Sequence, residues 1–153
     1  MIEPNKEMNV IIRENFKINN FNENEINIIN YGLSNKEKQN VSYQKFESDM
    51  ANTISNETLN YNFKKKSVES INTIIVDNII KKYGIKDFQL VLDIEGEESN
   101  VLKKNNEWLL KCRRILLENH LPKTKLHDLN NYLIEKGFKI ISKKQNVFLF
   151  MKV

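Results

Sequence analysis

Residues 88–98, FQLVLDIEGEE, pass from a nearly continuous apolar run straight into carboxylates set around one glycine. Phe88, Leu90, Val91, Leu92 and Ile94 have the composition of a strand buried on both faces, as in a parallel sheet with helices above and below it. That reading puts Asp93, Glu95, Glu97 and Glu98 at the strand's carboxyl end, where open α/β sheets bind their ligands. Gly96 allows the backbone to turn there with no Cβ in the way.

A buried strand of this kind needs neighbours, and a chain of 153 residues suffices for one domain with its own core. The net charge of +4 comes from 24 basic and 20 acidic residues mixed along the length, with Lys64-Lys65-Lys66 the main like-charge block. This is a solvated mixed surface, so a nucleic-acid partner is not expected. No apolar run reaches the roughly 18 to 20 residues that span a bilayer, so no membrane is expected either. The single cysteine, Cys112, has no internal partner, which fits a reducing, cytoplasmic setting.

Taken in order, Pro4 and Asn5 open a helix with Met8, Ile11, Ile12 and Phe16 on one stripe, closed by Asn19-Asn20. Residues 25–31, with Ile26, Ile28 and Ile29, read as a strand. Residues 35–66 have little regular pattern apart from strand-like alternation over 41–46, and a stretch this long reads as a functional flap that Met50, Thr53 and Ser55 could line. Residues 65–69 read as a strand before a helix capped by Ser70 or Asn72, with Ile75, Val76, Ile79, Ile80 and Tyr83 inward and Gly84 at its end. Beyond the organising strand, Ser99 or Asn100 caps a helix carrying Val101, Leu102, Trp108 and Leu109, with the tryptophan in the core. Residues 115–120, ILLENH, form the next buried strand. Thr124 caps a helix with Leu126, Leu129, Leu133 and Ile134 inward, and Gly137 ends it. His127 falls on that helix's exposed side. Residues 138–142 and 147–151, joined around Lys144-Gln145-Asn146, close the chain as an antiparallel pair.

Several of these stretches, in this order, resemble the FkbM-type family of S-adenosylmethionine-dependent methyltransferases. DIEGEE matches the family's D-[VI]-E-G-x-E, and ILLENH matches its I-x-x-E-x-H. Glu3-Pro4 matches the acid and proline that close the family's second strand, and Gly32-Leu33-Ser34 its A-L-[SG] turn, with Gly in place of Ala. Val91 stands where the family generally has lysine, and Ile71-Asn72 where it has Leu-Asp. The resemblance implies an α/β fold of the class I methyltransferase, Rossmann-like kind: one domain over 1–153, a central mixed sheet flanked by helices, a C-terminal antiparallel strand pair, and 35–66 as the variable insertion. It implies S-adenosylmethionine as cofactor, with Glu3 on the ribose hydroxyls, Gly32 and Leu33 near the adenine, and Asp93 positioning cofactor or acceptor. The acceptor it implies is a hydroxyl of a sugar or other small molecule. The family's Gly-rich loop should precede Glu3, and with glycines only at 32, 84, 96 and 137 no Gly-x-Gly occurs elsewhere. The expectation is a fold truncated at its N-terminus, with a partner copy or a preceding segment filling the sheet.

Without any family, the rim holds Asp93, Glu95, Glu97 or Glu98, Glu118 and His120, and an imidazole beside carboxylates is a common general base near neutral pH. On the resemblance, Asp93 and Glu95 position acceptor or cofactor, and Glu118 and His120 are the acceptor-side groups, with His120 the candidate base. A metal site on the same residues has no diagnostic spacing, and none is expected. A non-catalytic remnant or interaction module, and a metal-dependent hydrolase, are the competing readings.

Overall fold

The computed structural model describes residues 1–47, 52–54, 64–104 and 106–153. Its elements run α1 (Met8–Ile18), β1 (Gly32–Leu33), β2 (Val41–Phe46), β3 (Lys65–Ile71), β4 (Thr73–Ile74), α2 (Val76–Tyr83), β5 (Phe88–Leu92), α3 (Glu98–Lys103), β6 (Cys112–Glu118), α4 (Lys123–Glu135), β7 (Phe138–Lys144) and β8 (Val147–Lys152). Short 3₁₀ turns lie at Glu23–Glu25 and Glu107–Lys111.

The strands of the second half form a four-stranded sheet in the order β5-β6-β8-β7. β5 and β6 are parallel, and β8 runs antiparallel to both β6 and β7. Cross-strand register puts Leu92, Leu117 and Phe148 in one row and Leu90, Ile115 and Phe150 in the next, all on one face. Onto that face pack Val76 and Ile80 of α2, Val101 and Leu102 of α3, Trp108 and Leu109 of the second 3₁₀ turn, and Leu129 and Leu133 of α4. Each helix meets the sheet through residues three or four apart, or adjacent, on one stripe, as 3.6 residues per turn requires. Burying one such side chain is worth roughly 1.5–3 kcal/mol, so this single layer holds the domain together.

The other face of the sheet is different. Its rows read Val91-Leu116-Leu149 and Gln89-Arg114-Met151, and Val91 is 73% exposed. The expectation of a strand buried on both faces is therefore corrected: β5 alternates, because among the described residues helices cover only one side of the sheet.

The first half is built of smaller pieces. β2 and β3 pair as an antiparallel ribbon, and β1 and β4 as a short parallel pair. Within 35–66 the described residues hold β2, as the alternation over 41–46 implied, and the start of β3; Met50 and Ser55 lie outside the described residues. Lys45 ties the ribbon to the amino end of α1, its nearly buried ammonium 2.9 Å from Glu69 and 3.1 Å from Glu7. The strand read over 25–31 is a 3₁₀ turn followed by one parallel bridge, Ile29 to Ile2. Within it, Asn30 bonds across to Asn9 and to the Glu3 carbonyl.

Helix boundaries also moved. Ser70 lies inside β3, and Ile75 and Pro122, not Ser70, Asn72 or Thr124, occupy the cap positions of α2 and α4. Trp108 and Leu109 belong to the 3₁₀ turn and not to α3, which ends at Lys103. Ile134 is 51% exposed. Gly84 ends α2 at φ +62°, a left-handed conformation glycine adopts freely. The closing hairpin is as read, with Gln145 at φ +54° in its turn. No helix among the described residues is long and apolar enough to cross a membrane.

Candidate functional site

β5 and β6, being parallel neighbours, end side by side. Asp93 follows β5 directly, Glu118 is the last residue of β6, and His120 lies two residues on. The chain then turns sharply after Asp93, with both Glu95 (φ +53°) and Gly96 (φ +102°) in the positive-φ region. For glutamate that conformation costs about 1–2 kcal/mol. Thr53 helps hold it, its hydroxyl donating to the Glu95 carbonyl at 2.6 Å.

The turn brings the acids round one imidazole. His120 Nε2 lies 3.4 Å from Glu95 Oε2, 3.8 Å from Asp93 Oδ1 and 4.0 Å from Glu118 Oε1. On the ring's other side, Nδ1 is 2.8 Å from Glu98 Oε1. Glu98 is wholly buried, and the same oxygen accepts the Gly96 N–H at 3.2 Å. An ionised carboxylate only accepts, so Nδ1 carries the proton and Nε2 faces the three outer acids. Glu118 is held in turn by Asn146, whose amide donates to Oε1 at 2.9 Å. The two longer Nε2 separations exceed hydrogen-bond length.

Burial acts to lower the pKa of His120, but the Glu98 hydrogen bond and the charges of Glu95, Glu98 and Asp93 outweigh it and raise the value above the ordinary 6.5. Asp93 is raised as well, first by burial and then by the charges of Glu118 and Glu98, with His120 opposing. Both shifts have one origin: carboxylates outnumber cations at this rim.

Four of the residues read from the sequence as a rim, Asp93, Glu95, Glu118 and His120, are thus brought together. The sequence reading put Glu97 or Glu98 on the rim without choosing between them; the structure places Glu98, the third glutamate of DIEGEE, behind the imidazole. Asn146 left no signal at all, since it reaches Glu118 from a hairpin turn 28 residues away. The ligand atoms of Asp93, Glu118 and His120 lie within 4.8 Å of one another, so this set could also hold a divalent cation.

Glu3 is half-buried beside the Ile2–Ile29 bridge. Its Oε1 accepts the Asn5 N–H at 2.7 Å, and burial pushes its pKa up. Among the described residues no cation pairs with it, which leaves the carboxylate free to take hydroxyl donors. Gly32 and Leu33 are buried in β1 and not in an open turn. A Cβ at Gly32 would come within 3.0 Å of Ile71 and 3.2 Å of Ile54, so the space is filled by this chain's own side chains. Ser34, next in line, donates to Glu97 at 3.5 Å and joins β1 to the acidic loop.

The fold and rim together define a mixed α/β domain that carries an imidazole among carboxylates at parallel strand ends. A family model described as the Methyltransferase FkbM domain matches residues 1–140. The chain belongs to the FkbM methyltransferase domain family, and methyl transfer is the chemistry that membership indicates. No curated protein and no solved structure matched the chain.

Proposed function

We propose that this chain transfers a methyl group from S-adenosylmethionine to a hydroxyl of a small molecule or sugar. The observation that carries the proposal is His120, held through Nδ1 by the buried Glu98 and presenting Nε2 to Asp93, Glu95 and Glu118. S-adenosylmethionine, when bound, supplies a methyl on an electrophilic sulfonium. Glu3 fits its ribose, as a half-buried carboxylate with no cationic partner among the described residues, whereas Gly32 and Leu33 are packed against this chain's own side chains.

This chain's own residues then have two tasks, to hold the acceptor in line and to take one proton. Positioning provides the larger share of the rate. Asp93 and Glu118, flanking the imidazole, accept hydrogen bonds from acceptor hydroxyls, and Glu95 fixes the approach beside Nε2. Nε2 takes the hydroxyl proton, and the resulting imidazolium is stabilised by the Glu98 carboxylate behind it.

The reading is tested by titrating S-adenosylmethionine into the intact chain and into Glu3→Ala in a calorimeter. Saturable heat from the first and little from the second is expected. No heat from the intact chain leaves the second reading, a non-catalytic interaction module. That alternative draws its support from the open sheet face, where Val91 is 73% exposed.

A further inference from the structure

We infer that the acceptor of this methyl transfer carries an anionic group, a phosphate or carboxylate, held by Lys36, Lys38 and Lys104 in the cavity that adjoins the acidic loop. The inference rests on the methyltransferase reading and adds the class of substrate to it.

The cavity has a volume of about 450 Å³, within the range of small-molecule sites. It is lined by the stretch after β1 together with β4, and by α3 with the acidic loop. Val41 and Ile54 give it an apolar patch. It opens beside the rim: Glu97 lines it, one residue before Glu98. Ile54 lines it too, and its neighbour Thr53 donates to the Glu95 carbonyl at 2.6 Å.

Three lysines, Lys36, Lys38 and Lys104, are among the residues lining this space, against one acidic residue, Glu97. Glu97 accepts from Ser34 and from the Asn100 amide, so its charge is already spread over neutral donors. Among the described residues none of the three lysines makes an ion pair. Unpaired lysines are ordinary on a surface, but the backbone of two of these is fixed. Thr73, itself buried, donates through Oγ1 to the Lys36 carbonyl at 2.7 Å and accepts there from the Lys38 N–H at 2.9 Å. A second bond, Thr73 N–H to the Lys38 carbonyl at 2.9 Å, closes the clamp. Lys104, following the last turn of α3, is also among the lining residues.

Three lysines among the lining residues, with no ion-pair partner among the described residues, make a positive concavity that attracts anions. An acceptor would lodge its anionic group there and its carbon skeleton against Val41 and Ile54, with Glu97 joining the cavity to the acidic loop. A neutral sugar would leave three like charges unrelieved.

The test titrates the ¹⁵N-labelled chain with glucose 6-phosphate, gluconate and glucose, following the amides of Ser34, Asn35, Thr73 and Asn100. Saturable shifts are expected at these amides with glucose 6-phosphate or gluconate, and none with glucose; the two anions separate a phosphate source from a carboxylate source. The triple variant Lys36→Ala, Lys38→Ala, Lys104→Ala should bind the anion about tenfold or more weakly. The corresponding triple arginine variant should bind as the parent does. Equal response to glucose, shifts centred on other lysines, no binding of either anion, or an alanine triple variant that binds unchanged would each overturn the proposal. Calorimetry with S-adenosylmethionine is read separately, so loss of the cofactor reading and loss of the anion site are told apart.

Discussion

Glu98→Gln isolates the group on which the candidate site turns. The substitution keeps shape and one acceptor, but it replaces a charge-assisted bond to His120 Nδ1, 2.8 Å long and out of solvent, with a neutral one. A hydrogen bond involving a charged partner contributes about 1.5–3 kcal/mol. With roughly 2–4 °C per kcal/mol for a domain of this size, the melting temperature should fall by roughly 3–12 °C. The fall should depend on pH. His120 is held above its ordinary 6.5 in the folded chain, so the folded state binds this proton more tightly than the unfolded state does. That stabilisation is complete below 6.5 and is lost as pH rises through the raised folded value. The variant lacks the carboxylate that raises it, so parent and variant should differ most at about pH 5.5 and converge at about pH 9. Above the folded pKa the parent keeps a buried carboxylate facing a neutral ring, so the order can even reverse there. Urea unfolding at the two pH values, with the His120 ring protons titrated by NMR, gives the answer. An equal loss at both, or a His120 titration that stays where it was, would refute the assignment of Glu98 as the group that sets the imidazole.

Other consequences can be checked in the same way. Leu117→Ala and Leu116→Ala are neighbours on one strand, but Leu117 is fully buried and Leu116 is 39% exposed; the first should lose about 2–5 kcal/mol by urea unfolding and the second roughly 1 or less. Glu69→Ala leaves the nearly buried Lys45 ammonium with Glu7 alone and should lose about 1–3 kcal/mol, whereas Lys45→Met, which removes the charge itself, should lose less. With His120 as the base, methyl transfer should persist in EDTA. Activity lost in the chelator and restored by Mn²⁺ would instead assign Asp93, Glu118 and His120 to a cation. His120→Gln, which retains a hydrogen-bonding side chain but no base, should lower kcat by at least about a hundredfold, while S-adenosylmethionine binding stays within a few-fold; an unchanged kcat would remove His120 from the chemistry.

The amino-acid sequence determined the second half of the fold because its signals there are local. An apolar run broken by carboxylates marks the end of β5, ILLE marks β6, and alternating residues on either side of a short turn mark the β7–β8 hairpin. The same stretches carried the family, and with it Asp93, Glu95, Glu118 and His120. In 25–31 the isoleucines promised a strand, but a 3₁₀ turn and a single bridge took its place, with Asn30 bonded to Asn9 and the Glu3 carbonyl, since periodicity does not count competing hydrogen bonds. Only the tertiary structure decided that helices cover one face of the sheet, which leaves Val91 in the open, because burial depends on what packs from elsewhere in the chain. It alone placed Glu98 behind His120, brought Asn146 to Glu118 from the far hairpin, and set Lys36, Lys38 and Lys104 among the residues lining one cavity. Such meetings come from chain segments tens of residues apart, and no local pattern encodes a distance.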